Sequence, residues 1–385
     1  MHSITVLDGG LGTTLEDILG DEVAQSPLWS TQAVINYPTK IVDAHLSFLD
    51  AGARIIETAT YQASIPNLVQ AGLNEDEARE AILSAVRLAS QATLQFERPL
   101  SRHASIALSL GPFGATLRPT QEFLGFYPPP YGPWGYQENG TNAQAFDSSK
   151  DELAATDALA KFHLDRLLHI SGHSDVWNNI NYLAFETVLL PREVLAIRKA
   201  IGLLKHHLTS SQRTFSQSWW ISFVFPEVSK DACNTTSSKI DQLVTAALHP
   251  HPPHDVDSPI PNGIGINCTS ILHLLPLAKG LARSVHDLKL TSAQKHIRDC
   301  DCDSKDQDLY LVLYPNGGVY DTENQCWSPQ APDADLTWAG MFKDALSEIT
   351  SDENPWKKII VGGCCRTNPS YIKALCNQLM DLESQ

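Results

Sequence analysis

The sequence predicts an α/β protein, a (β/α)8 TIM-type barrel in a single domain (residues 1–385) with surface insertions. Three observations carry this expectation. Short apolar runs alternate with amphipathic segments, the pattern of parallel strands joined by right-handed helical crossovers. There are eight such runs, the number that closes a parallel barrel. Unusual polar residues stand at or just past the C-terminal ends of the runs, which in a barrel form one rim. An open doubly wound sheet is the alternative architecture for the same pattern.

In chain order, the first strand is Ile4–Asp8, which enters Gly9, Gly10, Leu11 and Gly12. These glycines let backbone N–H groups approach a ligand, and they lack the G-x-G-x-x-G spacing of a dinucleotide site. Pro38–Ala51 places Ile41, Val42, Ala44, Leu46, Phe48 and Leu49 mostly on one helical stripe, and Gly52 ends it. Arg54–Thr60 is the second strand. Asn74 with Glu77 three residues on is a capping-box signature, opening a helix to about Gln95. Ala104–Leu110 is the third strand, closed by Gly111 and Pro112. Residues 113–149 are rich in Pro, Gly and Tyr, and a stretch that long predicts a lid or mobile segment.

Asp151–Ile170 is a helix and Tyr182–Val188 the fourth strand; Pro191 then sits in the first turn of another helix. Trp219–Phe225 is the fifth strand, and a helix follows around Ile240–Leu248. In the tract His249–His254, prolines hold the chain extended, so it reads as a solvated loop. Gly263–Cys268 is the sixth strand, with a helix to about His286. Cys300 and Cys302 lie in an acidic run with no second pair nearby, and read as part of a surface insertion. Leu309–Asn316 is the seventh strand, Asp335–Ile349 a helix, Lys358–Gly362 the eighth strand, and Asn368–Leu382 the last helix. The insertions fall at about 113–149, 226–262 and 287–308.

Composition narrows the function. A net charge of −16 argues against nucleic acid or an anionic membrane as partner, since both need basic patches. No apolar run reaches the ~18–20 residues that span a bilayer. Met1–Asp8 enters a strand directly, without a charged and apolar leader pattern. The eight cysteines follow no disulfide framework. Together these predict a cytoplasmic protein with reduced thiols and small-molecule substrates.

Asp8, Glu57, Glu186, Cys268, Asn316 and Cys364 all stand at the predicted rim. Cys268 ends the sixth strand, and Cys364 with Cys365 follows the eighth, two positions around the ring. Adjacent cysteines on a regular strand point apart, so Gly362 and Gly363 are expected to turn the backbone through dihedrals open to glycine. Three thiolates then converge on one ion, which suggests zinc with one position left for substrate.

Several motifs carry a family resemblance: Leu7–Glu16, Glu57–Ser64, Ser109–Pro112, Phe185–Thr187, Gly265–Cys268, Tyr314–Gly317 and Val361–Arg366. In this order, and over nearly the whole chain, the sequence resembles the zinc-dependent homocysteine S-methyltransferases. The resemblance implies a (β/α)8 barrel with zinc on Cys268, Cys364 and Cys365. It places Asp8, Gly9 and Gly10 near the amino-acid substrate, Glu186 on its ammonium, and Tyr61 at the metal. Glu57, Thr58 and Asn267, which stand within the motifs, are expected among the substrate contacts. The implied reaction moves a methyl group from a sulfonium, S-methylmethionine or S-adenosylmethionine, to homocysteine. The chain departs from the family pattern after Gly111-Pro112, where Arg118 and Pro119 replace acidic or small residues. A zinc hydrolase and a non-catalytic zinc- or thiol-sensing barrel are the competing readings. The sequence is silent on oligomeric state.

Overall fold

The barrel strands are β1 (Ser3–Val6), β2 (Ile55–Glu57), β3 (Ser105–Leu110), β4 (Tyr182–Val188), β5 (Ser218–Phe223), β6 (Gly263–Ser270), β7 (Leu309–Asn316) and β10 (Trp356–Val361). A small hairpin of β8 (Tyr320–Asp321) and β9 (Cys326–Trp327) lies between the last two. This computed structural model describes residues 3–20, 30–97, 103–226, 233–250, 258–296, 308–318, 320–321, 326–328, 330–351 and 354–383.

The eight barrel strands pair in parallel in the order β1-β10-β7-β6-β5-β4-β3-β2. The ring closes where Leu7 bridges Ile55, with Asp8 N donating to Ile55 O at 2.9 Å and Arg54 N to Val6 O at 2.8 Å. The expected closed barrel is therefore the fold, and the open sheet is not. Side chains alternate along each strand, as the two-residue period requires. On β7, Tyr310, Val312 and Tyr314 pack with the barrel interior, while Leu309, Leu311 and Leu313 pack with the surrounding helices. The interior is filled by Leu7, Ile55, Ala107, Ala184, Trp220, Val312 and Ile360, so it is a core and not a channel. Outside it, residues such as Trp219, Phe223, Leu281 and Phe342 are buried between strands and helices. Each fully buried large apolar side chain contributes ~1.5–3 kcal/mol.

The helices follow the sequence pattern with informative exceptions. The capping box is reciprocal: Glu77 N donates to Asn74 Oδ1 and Asn74 N to Glu77 Oε2, both at 2.9 Å. Helices Leu11–Leu19, Ser30–Asn36 and Ile65–Gln70 were not anticipated. Leu11–Leu19 starts at Gly10 with no side-chain cap, so the usual start signal is missing. The helix after β6 reaches His296, so residues 287–296 continue it. Within 226–262, Cys233–Leu248 is the crossover helix between β5 and β6, with Ile240, Leu243 and Val244 in the core. Cys300, Cys302 and residues 251–254 of the His/Pro tract lie outside the described residues. Among the described residues, no helix is long and apolar enough to cross a membrane.

His45 makes a testable contribution to stability. It sits on the buried face of helix Pro38–Ala51, with no hydrogen-bond partner on either ring nitrogen. Burial lowers its pKa from 6.5 to about 4. The unfolded chain takes up a proton near pH 6.5 while the fold resists it, so stability is complete above that pH and is lost as pH falls toward 4. The full loss is ~3 kcal/mol. Urea titrations at pH 7 and pH 4.5 should show a smaller difference for His45→Leu than for the parent chain; equal differences would refute the assignment.

Candidate active site

The rim is assembled by backbone contacts between loops far apart in sequence. After β10, Gly362 N donates to Leu313 O, Gly363 N to Asp8 O and Cys364 N to Pro315 O. This fastens the Gly-Gly-Cys-Cys loop to the ends of both neighbouring strands. Neither Gly362 nor Gly363 has the positive φ expected of a strained turn. They are needed for close approach instead: a Cβ on Gly363 would fall 2.2 Å from Thr367 Oγ1, and one on Gly362 2.6 Å from Asp8 O. The left-handed residue is Arg366, at φ 61°. Gly10 is equally constrained, since a Cβ there would meet Cys364 O at 2.4 Å. Its N–H donates to Thr367 O at 2.9 Å and Thr367 Oγ1 at 3.1 Å.

These contacts bring the three predicted thiols together. Cys364 Sγ lies 3.3 Å and Cys365 Sγ 3.7 Å from Cys268 Sγ. Cys268 reaches the trio from the end of β6 with φ 49°, a left-handed conformation that re-aims its side chain. Among the described residues, this is the group of His, Cys, Asp or Glu side chains able to hold a metal ion. Hydrogen bonds from Cys268 and Cys364 hold Cys365 well down toward the thiolate, while hydrogen bonding within the trio, burial and charge repulsion push Cys268 up.

Three carboxylates share the rim. Asp8 is fully buried, and its Oδ2 accepts from Glu57 N at 2.9 Å while Oδ1 has no partner. Glu57 Oε1 is likewise buried and unpartnered. Glu186 stands on the inward face of β4, accepts from Ser109 Oγ, and lies beside Tyr314. Burial pushes all three upward, Glu186 to about 8, and their charges repel one another and any charge on Cys364. Such a cluster is completed by a cationic guest.

The other sequence-chosen residues divide into two groups. Tyr61 packs its ring against Gly111 and hydrogen-bonds with Thr187 near Cys268. Asn316 ends β7 with a buried, unpartnered Oδ1. Thr58 and Asn267 instead brace the framework. Ser109 N donates to Thr58 Oγ1 at 3.1 Å, and Thr58 Oγ1 is 2.6 Å from Thr60 Oγ1. Asn267 Oδ1 accepts from Thr187 N at 2.7 Å while its Nδ2 donates to Thr187 Oγ1 at 2.8 Å, holding Thr187 at φ 61°.

A buried polar cluster behind the rim was not foreseen. Glu193 accepts from Phe113 N at 2.7 Å and Tyr127 OH at 2.8 Å, and lies 3.2 Å from His163 Nε2. Burial pushes Glu193 up, but these hydrogen bonds hold it below its ordinary value. Arg166 donates to Gly111 O at 2.7 Å and Tyr61 O at 3.3 Å, tying the loops after β2 and β3 together. The first half of the 113–149 stretch is thus a packed cap, with Tyr127 fully buried and Phe113 stacked on Tyr131 at 3.9 Å, while residues 133–149 include no buried position. The signal was present in the sequence, for His163 and Arg166 share a helical stripe with Leu159, Ala160, Leu167 and Ile170.

Comparison with known proteins agrees with this geometry. The family model described as homocysteine S-methyltransferase matches residues 5–379. The chain belongs to the homocysteine S-methyltransferase family. It is an enzyme of the methyltransferase class. Homocysteine S-methyltransferase 3 of Zea mays is 28% identical over 381 residues, covering 96% of this family member and 88% of the maize protein. Homocysteine S-methyltransferase YbgG of Bacillus subtilis is 26% identical over 384 residues, covering 97% and 94% of the two chains. The metallated form of the Escherichia coli homocysteine methyltransferase MmuM superposes with a TM-score of 0.60 at 23% identity, covering 98% of this chain and 96% of that one, a likeness of fold.

Proposed function

We propose that this enzyme transfers a methyl group from a sulfonium donor to the sulfur of L-homocysteine, giving methionine, with zinc held by Cys268, Cys364 and Cys365. The observation that carries this reading is the thiol trio set beside three buried carboxylates on one barrel rim. Sulfur separations of 3.3 and 3.7 Å suit a tetrahedral ion, for which Zn–S bonds of about 2.3 Å put sulfurs about 3.8 Å apart. Zinc bound there supplies the Lewis acidity that keeps a thiol ionised at neutral pH, where a free thiol of pKa about 8.5 is mostly protonated.

The chain's own residues position the substrates. Glu186, supported by Asp8 and Glu57, holds the homocysteine ammonium, the cation that this acidic cluster lacks. The turn at Asp8, Gly9 and Gly10 borders the substrate carboxylate; Gly10 N–H already serves Thr367, so the backbone contact falls to Gly9. Tyr61 lies on the metal side of the site and would complete the ligand set when homocysteine is absent. Thr58 and Asn267 act by holding the strand ends in register. A sulfonium leaves as a neutral thioether, so the reaction needs two oriented substrates and no general acid.

S-methylmethionine is placed ahead of S-adenosylmethionine, and betaine last. The motifs Leu7–Glu16 and Glu57–Ser64 resemble sulfonium-using members more closely. The cap is rich in aromatic side chains, Phe113, Phe126 and Tyr131 among them, a setting that suits a cationic donor. Arg118 is turned to solvent, donating to Leu117 O at 2.7 Å, so it does not face a cationic donor. Scattered free cysteines support a cytoplasmic setting that keeps the trio reduced. A hydrolytic zinc centre uses His and carboxylate ligands, and this trio contains neither.

A competition assay with homocysteine and equal concentrations of S-methylmethionine, S-adenosylmethionine and betaine tests the reading. Methionine should form fastest from S-methylmethionine. Faster formation from betaine would overturn the donor order, and no methionine from any donor would overturn the reaction.

A further inference from the structure

The cap contains a carboxylate that the chemistry above leaves unused. Glu122 is only 7% exposed, and its Oε2 has no hydrogen-bond partner. Burial pushes Glu122 up to about 7, and its ionised form, with one oxygen unserved, is costly unless a ligand completes it. Its position is built into the fold. Gln121 N donates to Gly114 O at 2.8 Å, and Gly125 N donates to Gln121 O at 2.7 Å. A Cβ on Gly114 would come within 2.8 Å of Glu122 N. Residue 122 is thus clamped against the turn Phe113–Thr116, just beyond the end of β3.

Glu122 also lies near the site, for residue 122 packs on Gly114 while the Tyr61 ring packs on Gly111, both in the turn after β3. Among the charges acting on the Tyr61 phenol it is the strongest, ahead of Cys268 and Glu186. Tyr61 is therefore near both the thiol trio and Glu122. The Thr120 hydroxyl and the more distant charge of Arg118 stabilise the carboxylate in part, but neither serves Oε2.

An unpaired carboxylate oxygen calls for an N–H donor. A sulfonium centre has none, since three carbons surround its sulfur. The α-ammonium of an amino-acid sulfonium has three. We propose that Glu122 binds the α-ammonium of the methyl donor, on the cap side of Tyr61, and so selects amino-acid sulfoniums over those without an amino group. This rests on the sulfonium-donor reading and adds to it one contact and the specificity that follows. Homocysteine's own ammonium is served separately, at Asp8, Glu57 and Glu186.

The test compares S-methylmethionine with 3-(dimethylsulfonio)propionate, a sulfonium carboxylate lacking the amino group, as substrates and as competing ligands of the zinc-loaded enzyme. Glu122→Gln keeps the shape and removes the charge. It should raise the KM for S-methylmethionine about 10-fold or more. The KM or Ki for the amino-free sulfonium and the KM for homocysteine should stay within about twofold. Glu122→Asp, which keeps the charge, should retain part of the preference. Equal weakening of both sulfoniums, a raised homocysteine KM, or no change in the Gln variant would overturn the assignment while the donor reading stands. Methionine formation from neither sulfonium by the parent enzyme would overturn the donor reading and this contact with it.

Discussion

Replacing any one of Cys268, Cys364 or Cys365 by serine is expected to reduce bound zinc from about one ion per chain to a small fraction, and to slow methyl transfer by more than ~100-fold. Losing a residue that merely orients a ligand already costs about 10–100-fold in affinity or activity, and here a ligand itself is lost. All three thiols are at least partly buried and within 4.8 Å of one another, so none is spare. Elemental analysis and initial rates on the three single variants check this. Full zinc and full activity in the triple variant would place the metal elsewhere, with the His249–His254 tract the first region to examine.

Glu186→Gln should leave zinc bound and raise the KM for homocysteine. The lost charge-assisted contact corresponds to ~1.5–3 kcal/mol, or about 10- to 150-fold. Glu186 is the central acid of the cluster: it is held by Ser109, lies beside Tyr314, and feels both Arg166 and Cys364. Burial, and after it any charge on Cys364, raises it to about 8, and a cation bound to the trio would oppose that push. Steady-state kinetics with homocysteine varied at saturating donor decides the point. An unchanged KM would remove Glu186 from the substrate site.

The barrel could be read from the sequence because its strands obey a strict two-residue period. Tyr310, Val312 and Tyr314 against Leu311 and Leu313 separate two faces that both had to be apolar. The thiol trio was readable because Cys268, near the end of β6, and Cys364, just beyond β10, belong to strands two positions apart in the ring. The reason for Gly362 and Gly363 was misread, because a need for close approach depends on which backbone lies opposite, here Asp8 O and Thr367, and no local pattern contains that. Thr58 and Asn267 were chosen from their motifs as substrate contacts. Their hydrogen bonds to Ser109 and Thr187 arise only once β2 lies beside β3 and β4 near β6. Helix Leu11–Leu19 gave no capping signal, since glycine occupies its N-cap. The Glu193–His163 pair was concealed differently: its residues lie on two helices and meet only beneath the cap.

The central claim is that the three thiols hold a metal to which homocysteine adds its own sulfur. X-ray absorption at the zinc edge counts sulfur neighbours directly. The zinc-loaded enzyme should show three sulfurs at about 2.3 Å, and four at the same distance once L-homocysteine is added. A sulfur count that does not change on adding saturating homocysteine would contradict the account.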